Sequence, residues 1–438
     1  MTNKKEITVN LVKFRIRQAL LGEFLFEVEK GLEMTKNVSV PEGYKKTELG
    51  VIPEEWKVEK LGLLSELITK GTTPTTIGYS YQDKGINFIK IESIDANGNF
   101  LPNLFTHISE DANKSLKRSI LKENDLLFSI AGALGRVAIV NSEILPANTN
   151  QALAIIRLKR IQEVDLKYIY FFLKGSQIQN LIDRINVQSA QANLSLKNIN
   201  NFKIALPQKE EQQKIASILS KVDEQIEHTE QIIEKTELLK KGLMQKLLTK
   251  GIAHTKFKKT ELGEISEEWS VVTIGDVITL QRGHDLPVTE RTEGDFPVVG
   301  SNGIVGYHNE YKAKGPGVSM GRSGTIGKIY YCDSDYWPLN TSLYVKDFKN
   351  NNPKFIYYLL QNLDYERFNS GTSVPTLNRN LVHPYKIIFP KQYDEQQKIA
   401  YILSKVDSQI QDNQNYLSKL QELKKGLMQD LLTGKVRV

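Results

Sequence analysis

The chain repeats itself, and this repeat constrains its fold more than any other feature. The stretch EQQKIASILSKVDEQI begins at Glu211, and EQQKIAYILSKVDSQI begins at Glu395, 184 residues later. Upstream, YKKTELGVIPEEW begins at Tyr44, and FKKTELGEISEEW begins at Phe257, 213 residues later. Internal self-similarity of this kind is the signature of a duplicated architecture. We therefore expect two copies of one structural unit, each followed by the same helix.

The two copies share a frame but differ in length. Between the opening and closing markers the second copy is 29 residues shorter, and 21 of these are lost upstream of a glycine-containing loop. That loop is GALGRVAIV from Gly132 in the first copy and GTIGKIYYC from Gly324 in the second. A common frame with one divergent stretch is expected of two scaffolds that recognise different targets. Drift in the surface loops of a duplicated domain is the alternative interpretation.

Composition sets broad limits on the class of protein. A chain of 438 residues is long enough for two or three domains. Its 58 basic and 51 acidic residues give a net charge of +7, which permits a polyanionic partner without requiring one. The only cysteine, Cys332, excludes an intrachain disulfide and fits the reducing cytoplasm. The six histidines show no metal-ligand spacing, and the longest apolar run, YIYFFL, is too short to span a bilayer.

The predicted fold class is α+β, with two similar mixed α/β domains joined by two long helices. Strands are predicted for DLLFSIAG, RVAIV and ALAIIRL, and one helix for DLKYIYFFLKGSQIQNLIDRI. The N-terminal helix has no counterpart in the second half. The predicted segments are an N-terminal helical extension (1–40), a first α/β domain (41–207), a central helix (208–252), a second α/β domain (253–390) and a C-terminal helix (391–438).

Both long helices carry the heptad pattern of a coiled coil, with steps of four and three between core positions. The first series is Ile215, Leu219, Val222, Ile226, Thr229, Ile233, Thr236, Lys240, Leu243 and Leu247. The second series is Ile399, Leu403, Val406, Ile410, Asn413, Leu417, Leu420, Lys424, Leu427 and Leu431. Each seam is apolar at both ends and polar near its middle.

Chain connectivity predicts that the two helices pack antiparallel, with a pseudo-two-fold axis across the coiled coil. The first helix leads into the second domain and the second helix leaves it, so Gly434 would lie near the start of the first domain. Gly251 precedes the second domain in the same way. The alternative is that each helix packs only on its own domain. About 40 residues make roughly 60 Å of helix, which is longer than either domain needs.

Motifs for catalysis are absent from the sequence. The stretch GRSGTIGKIY from Gly321 resembles a phosphate-binding loop, but Arg322 and Ile329 occupy positions where the motif requires glycine and Ser/Thr. There is no HExxH motif, no nucleophile elbow, no GxGxxG after a strand and no Asn/Asp-Pro-Pro-aromatic motif of amino-methyltransferases. We therefore predict a non-catalytic chain with no catalytic residue, no metal site and no cofactor of its own.

Several loops combine glycine, hydroxyl or amide side chains and a basic residue, which suits contact with DNA. Glycine lets the backbone approach a partner, and these polar and basic side chains bind phosphates and base edges. Ordinary β-turns are the alternative for any single loop. In the first domain the candidate DNA-binding residues are Lys70, Thr72, Thr73, Ser129, Gly132, Arg136, Gln188, Gln191 and Asn193. In the second domain they are Arg282, His284, Asn302, Arg322, Ser323, Lys328, Thr372, Ser373, Asn378 and Arg379.

Over nearly its full length the chain resembles the specificity subunit of type I restriction-modification systems. The resemblance lies in the KKTELG…EEW openings, the GxxG strand pairs, the LP…EQQKIA..LSKVD helix starts and the LKKGLMQ.LLT helix ends. It implies that each α/β domain is a target recognition domain for half of a split double-stranded DNA sequence. It also implies that the helices form an antiparallel spacer and dock two methyltransferase subunits. These carry S-adenosylmethionine and methylate adenine, and restriction subunits join them to cleave unmodified DNA.

Three other functions remain open from the sequence. The first is a specificity subunit of a methylation-only complex, which lacks a nuclease partner and would have the same sequence features. A tandem-domain coiled-coil scaffold unrelated to DNA would share the repeat and the heptads. A self-contained DNA enzyme is disfavoured by the missing motifs.

Overall fold

The computed structural model describes residues 40–159, 162–187, 193–368 and 376–438. The predicted N-terminal helical extension lies outside these residues, apart from residue 40. The chain divides into two compact units. Unit 1 contains the described residues up to Ile226 together with Lys419–Val438, and unit 2 is Glu227–Ser418. Within the described ranges, no helix is both long enough and apolar enough to cross a membrane.

Unit 1 is a mixture of short strands and helices. Its strands are β1 (Tyr44–Thr47), β2 (Gly50–Pro53), β3 (Lys57–Lys60), β4 (Ser65–Lys70), β5 (Ile86–Ile89), β6 (Thr106–Ile108), β7 (Leu126–Ser129), β8 (Val137–Ile139), β9 (Ala147–Thr149), β10 (Leu153–Leu158) and β11 (Lys203–Leu206). Its helices before the long one are α1 (Leu61–Leu64), α2 (Glu110–Ser115), α3 (Leu166–Lys174), α4 (Ser176–Val187) and α5 (Leu196–Asn200). The first long helix, α6, runs over Lys209–Leu247, from unit 1 into unit 2.

Unit 2 repeats the eleven strands of unit 1, with fewer short helices among the described residues. Its strands are β12 (Phe257–Thr260), β13 (Gly263–Ser266), β14 (Ser270–Thr273), β15 (Thr279–Arg282), β16 (Phe296–Gly300), β17 (Gly303–His308), β18 (Gly317–Gly321), β19 (Ile329–Cys332), β20 (Trp337–Pro338), β21 (Ser342–Asp347) and β22 (Lys386–Phe389). Its short helices are α7 (Ile274–Val277), α8 (Pro353–Gln361) and α9 (Arg379–Val382). The second long helix, α10, runs over Tyr393–Leu431 and ends in unit 1.

The sheets have the same topology in both units. A four-stranded sheet has the order β4-β10-β7-β8 in unit 1 and β15-β21-β18-β19 in unit 2. A three-stranded sheet has the order β6-β5-β9 or β17-β16-β20, and two-stranded sheets pair β3 with β11 and β14 with β22. The apolar stretch LAIIRL forms the interior strand β10, where every residue except Arg157 is buried. The duplication predicted from the sequence is therefore a duplication of topology.

About half of the length difference between the copies, 14 of 29 residues, lies in one connection. In unit 1, residues 90–105 join β5 to β6, whereas in unit 2 only Ser301 and Asn302 join β16 to β17. The unit 2 connection is a tight hairpin, with Gly300 paired to Gly303. The rest of the frame is retained because the connection leads to β6 or β17, the edge strand of the three-stranded sheet, where a connection can change without disturbing the core.

One element differs from its prediction. The segment predicted as a single helix is two helices, α3 and α4, which are separated by Gly175. Gly175 has extended geometry, with φ −71° and ψ 163°, and so ends α3. A Cβ atom at this position would lie 3.0 Å from the carbonyl oxygen of Phe172 and 3.2 Å from the Cδ1 atom of Leu432. The space beside Gly175 is thus occupied by Leu432, which directly follows α10 and is far away in sequence, so the break between α3 and α4 favours glycine.

The end of the chain closes onto the start of unit 1. The Tyr44 hydroxyl donates to the carbonyl of Gly434 at 3.0 Å, as the predicted return of the second helix requires. Arg437 donates two hydrogen bonds to the Glu211 carboxylate at 2.6 and 2.9 Å, and the indole of Trp56 donates to the same carboxylate at 3.2 Å. This two-point contact fixes both charges in one geometry. The C-terminal residues thus hold the first residues of α6 and the opening hairpin together.

Unit 2 builds the same cluster with a histidine in place of the arginine. The Trp269 indole donates to Glu395 at 2.9 Å, and the Nε2 atom of His254 lies 2.8 Å from that carboxylate. Gly251 has a φ of +68°, and Gly434 has a φ of +70° at the matching place. In both units a left-handed glycine follows the long helix and redirects the chain toward the cluster of tryptophan and carboxylate.

The heptad positions form the contact surfaces of both long helices. Every residue of the two predicted series is buried or half-buried, whereas most positions between them are exposed. The salt bridge Asp223–Lys424 (2.6 Å) joins the helices in unit 1, and Lys240–Asp407 (2.7 Å) joins them in unit 2. In both units an early residue of one helix meets a late residue of the other, so the helices are antiparallel.

Candidate nucleic-acid interface

In unit 1, the candidate loops meet at one edge of the four-stranded sheet. Lys70 ends β4 and pairs with Ala154, while Ser129 ends β7 and pairs with Leu153 at the start of β10. Because these strands are antiparallel, the loops that follow β4 and β7 emerge beside the loop that precedes β10. The Gly71 amide confirms this proximity by donating to the Asn150 carbonyl at 3.1 Å. We call this edge the unit 1 loop edge.

Unit 2 has the equivalent edge. Arg282 ends β15 and pairs with Leu343, and Gly321 ends β18 and pairs with Ser342 at the start of β21. The Arg322 amide donates to the Thr341 carbonyl at 3.0 Å, which links two of the loops at their base. We call this edge the unit 2 loop edge. Two sets of loops that are separate in the sequence are thus brought together in the same way in both units.

A further loop joins each edge through an isolated bridge. Ala131 pairs with Asn193 in unit 1, and Ser323 pairs with Thr376 in unit 2. Directly beyond the second bridge, the Leu377 amide donates to the Arg322 carbonyl at 2.7 Å. Four of the predicted residues, Gln188, Gln191, Thr372 and Ser373, lie outside the described residues.

The glycine loops owe their shape to left-handed backbone conformations. Gly132 and Gly135 have φ values of +77° and +79°, and Gly324 and Gly327 have +84° and +73°. Residues with a Cβ atom rarely adopt these angles, so all four positions favour glycine. Gly132 and Gly324 are exposed, and a Cβ atom at Gly324 would meet nothing within 4 Å. The sequence spacing GxxG therefore corresponds to the same protruding turn in both units.

The predicted residues of unit 1 have different environments. Lys70, Gly132 and Asn193 are exposed, and Thr72 and Thr73 are half-buried. Ser129 is fully buried, and its hydroxyl accepts a hydrogen bond from the Arg136 amide at 2.8 Å. Its geometry is that of a residue that holds the glycine loop closed.

Arg136 and Lys328 match in sequence but differ in their contacts. Arg136 donates from its Nη1 atom to the carbonyls of Ile94 (2.7 Å) and Ile91 (3.4 Å), which ties its guanidinium to the unit 1 backbone. Lys328 is exposed, with its ammonium 5.5 Å from the centre of the Tyr330 ring. Of these two cations, Lys328 is the more accessible to a phosphate.

Two arginines concentrate positive charge at the unit 2 loop edge. Arg282 ends β15 and Arg322 directly follows β18 at the same sheet edge, and burial together with the charge of Arg282 lowers the pKa of Arg322. Arg322 donates to the Asn340 carbonyl at 3.3 Å. Among the described residues, neither arginine forms a salt bridge with a carboxylate. Two like charges without a counter-ion favour the binding of an anion such as a phosphate.

The other predicted residues of unit 2 surround this pair. Burial and the charge of Lys312 lower the pKa of His284, so its imidazole is neutral at neutral pH and suits a base edge better than a phosphate. Asn302 is exposed at the tip of the β16–β17 hairpin, and Ser323 is half-buried in the glycine loop. Asn378 caps α9 by accepting from the Asn380 amide at 3.0 Å, and Arg379 follows it with an exposed side chain.

One component of each loop edge was not predicted from the sequence. Asn150 and Gln151 lie between β9 and β10, and Gln151 accepts a hydrogen bond from the Thr73 hydroxyl. Asn340 and Thr341 occupy the equivalent loop of unit 2. The signal was present as the repeated stretches NQAL and NTSL, but these loops lack a basic residue. Only the pairing of β10 and β21 brings them to the edge.

Two similar domains with loop edges of this kind, which are joined by an antiparallel helix pair, define a tandem-domain DNA-recognition protein. The family model of the type I restriction modification DNA specificity domain matches residues 53–238 and 266–422. The chain belongs to this family. Its two matched segments coincide with the two copies seen in the sequence and in the topology.

Known relatives agree with this assignment. The chain is 27% identical over 354 residues to the type I restriction enzyme MjaVIII specificity subunit of Methanocaldococcus jannaschii, covering 74% of this chain and 81% of that protein. It is 26% identical over 318 residues to a putative type I specificity subunit of Mycoplasma pneumoniae, covering 70% and 82%. The crystal structure of an S subunit from M. genitalium shares the fold, with a TM-score of 0.59 and 20% identity over 91% of this chain and 99% of that chain.

Proposed function

We propose that the chain gives a type I restriction-modification complex its DNA sequence specificity, with each unit contacting one half of a bipartite double-stranded target. The observation that carries this proposal is the pair of loop edges, which the same strands build in the same order in both units. A repeated scaffold with different loop residues is suited to two half-sites of different sequence. The phosphate-binding arginines position the complex, and the amide, hydroxyl and imidazole groups select bases.

In this proposal the long helices hold the two half-sites at a set distance and dock two methyltransferase subunits. The repeated stretches EQQKIA and LKKGLMQ supply one equivalent set of exposed positions on each helix. Half-sites about one DNA turn apart, ~34–36 Å, face the same side of the duplex. Helices of 39 residues, or roughly 58 Å, can bridge that distance.

In the proposed complex, the partner subunits carry out the chemical reactions. S-adenosylmethionine is bound by the methyltransferase subunits, which methylate adenine in each half-site, and restriction subunits cleave unmodified DNA. The chain itself contributes binding and orientation. A methylation-only complex would use the same residues, and a DNA cleavage assay with the restriction subunits added distinguishes the two.

The first test is methyl transfer. The purified chain is expected to transfer no methyl group from labelled S-adenosylmethionine to DNA, whereas the chain co-purified with two methyltransferase subunits is expected to methylate a bipartite target. Methylome sequencing of cells with and without the chain identifies that target, because only its marks disappear. Robust methylation by the isolated chain would contradict the proposal, and an unchanged methylome would support the scaffold alternative.

The second test concerns the arginine pair. Replacing Arg282 or Arg322 with alanine should lower the salt dependence of DNA binding by about one phosphate contact each, because each removes one cation near the backbone. Lys259→Ala is the matched control, since Lys259 is an exposed cation on β12, in the hairpin that opens unit 2. Binding is measured between about 50 and 200 mM salt, where such slopes are large. If all three variants kept the parental slope, the unit 2 loop edge would not be a phosphate-binding surface.

A further inference from the structure

The β16–β17 hairpin of unit 2 exposes an unusual amount of apolar surface. Ile304, Val305 and Tyr307 are 58%, 46% and 56% exposed, although all three lie on β17, which bulges at Val305 and Gly306 in its pairing with β16. We call these three residues the hairpin surface. Ile304 pairs with Val299 and Tyr307 with Pro297, two positions apart on β16, so these two side chains lie on the same face of the hairpin, and Val305 lies in the bulge between them.

The position of β17 makes this exposure costly. In the order β17-β16-β20, it is the edge strand, with β16 on one side and no strand on the other among the described residues. Edge strands usually carry charges or proline, because an apolar edge invites unwanted pairing with other chains. A cluster of exposed apolar side chains at such an edge indicates a binding surface.

The hairpin surface is not part of the repeated frame. The equivalent strand of unit 1, β6, has no exposed residue, and the 16-residue connection 90–105 precedes it in place of a two-residue turn. Under the proposed function, two methyltransferase subunits need equivalent docking surfaces, which only repeated features supply. A feature found in unit 2 alone therefore belongs to the part of the chain that distinguishes one target from another.

The hairpin is continuous with the unit 2 loop edge. Gly321 lies so close to the hairpin tip that a Cβ atom on it would be 2.9 Å from the carbonyl oxygen of Ser301. At the other end of the turn, a Cβ atom on Gly303 would be 2.8 Å from the Tyr330 ring, over which Lys328 lies. Arg291 donates from its Nη1 atom to the Val305 carbonyl at 3.2 Å. The apolar strand is thus flanked by cations, a combination that suits DNA.

We propose that the hairpin surface enters the major groove of DNA and contacts the C5 methyl groups of thymines in the half-site of unit 2. This inference rests on the proposed function. The major groove is about 12 Å wide and admits a two-stranded β-ribbon, and the thymine methyl is the one apolar group that base pairs present there. Because β16 also pairs with β20, the part of the hairpin offered to the groove is the edge strand β17 with its tight turn at Ser301 and Asn302, where Asn302 is exposed.

The test uses duplexes in which each thymine of the target is replaced in turn by deoxyuridine, which lacks only the C5 methyl group. The target comes from methylome sequencing, and the protein is the complex with its methyltransferase subunits. We expect one or two replacements, all in one half-site, to weaken binding by the parental complex roughly three- to ten-fold, because each removes one buried methyl contact. The variant with Ile304→Ala and Val305→Ala should bind the parental duplex more weakly and lose this sensitivity to deoxyuridine.

Leu262→Ala provides the control, because Leu262 is an exposed apolar residue in the hairpin that opens unit 2, within the repeated frame. This variant should keep the parental response to deoxyuridine. Equal sensitivity of the parental complex and the hairpin variant would overturn the inference while leaving the proposed function intact. Loss of methyltransferase co-purification by the hairpin variant would also overturn it, since the surface would then bind protein. A parental complex without sequence-specific DNA binding would refute the proposed function as well.

Discussion

Replacing both Lys240 and Lys424 with glutamate should weaken the contact between the two long helices and reduce methylation at the bipartite target. Each lysine forms a short salt bridge to an aspartate on the other helix, at 2.7 Å to Asp407 and 2.6 Å to Asp223. Both lysines occupy heptad positions, with side chains that are 23% and 17% exposed. Glutamate there would place two carboxylates against each other in each unit. A partly buried pair of this kind lies between the exposed and buried cases, so we expect a loss of roughly 2 kcal/mol per pair.

The two salt bridges also define a single helix register. In an antiparallel pair the residue numbers of facing positions add to a constant, and both bridges give 647. A shift of one heptad in one direction would place Lys240 opposite Ala400 and Lys424 opposite Ala216, which leaves both lysines without an acid. Only the observed register satisfies both lysines with aspartate. Charged groups at core positions are known to select register in this way.

Thermal unfolding and methylome sequencing measure the result. We expect the double glutamate variant to melt several degrees lower, because about 2 kcal/mol shifts the midpoint of a unit of this size by roughly 4–8 °C. Exchanging the partners, with Lys240→Asp plus Asp407→Lys, is the matched control and should recover most of the stability. Recovery should be incomplete, since the Tyr358 hydroxyl donates to Asp407 at 2.6 Å. If the exchanged pair melted no higher than Lys240→Asp alone, the salt bridge would not stabilise the register.

Deleting one heptad from each long helix should shorten the spacer of the DNA target while leaving both half-sites unchanged. Removing residues 229–235 and 413–419 keeps the heptad phase and retains all four residues of the two salt bridges. Each deletion shortens its helix by roughly 10 Å at 1.5 Å per residue. At about 3.4 Å per base pair, the expected change is ~3 base pairs. Three base pairs also turn the duplex by roughly 100°, so modification should be slower as well.

A deletion in one helix alone is the control for the double deletion. With only one helix shortened, the two salt bridges cannot form in the same register, so this variant should be less stable than the double deletion. Methylome sequencing of cells that carry each variant gives the spacing directly. If the double deletion folded, supported methylation and still marked the parental spacing, the helices would not set the distance between the half-sites.

Much of the architecture could be predicted from the sequence because it depends on local or periodic patterns. The duplication, the heptad seams and the strands around the glycine loops follow from repeats and hydrophobic periodicity. The return of α10 to the start of unit 1 followed from chain connectivity and is confirmed by the contact between Tyr44 and Gly434. The shared GxxG spacing marked the same loop in both copies, and the structure shows that all four glycines are left-handed.

The contacts that shape the site depend on residues far apart in the sequence, and only the tertiary structure decided them. Gly175 falls within a pattern that predicts one continuous helix, but in the structure it ends α3 and lies beside Leu432. Arg136 was an accessible cation in the sequence, but its guanidinium is bound to two backbone carbonyls more than 40 residues away. The sequence by itself determined that the chain has two matching domains and two matching helices. Packing decided which loops meet at an edge, which lysine faces which aspartate and which strand stays uncovered. No local sequence pattern records such long-range contacts.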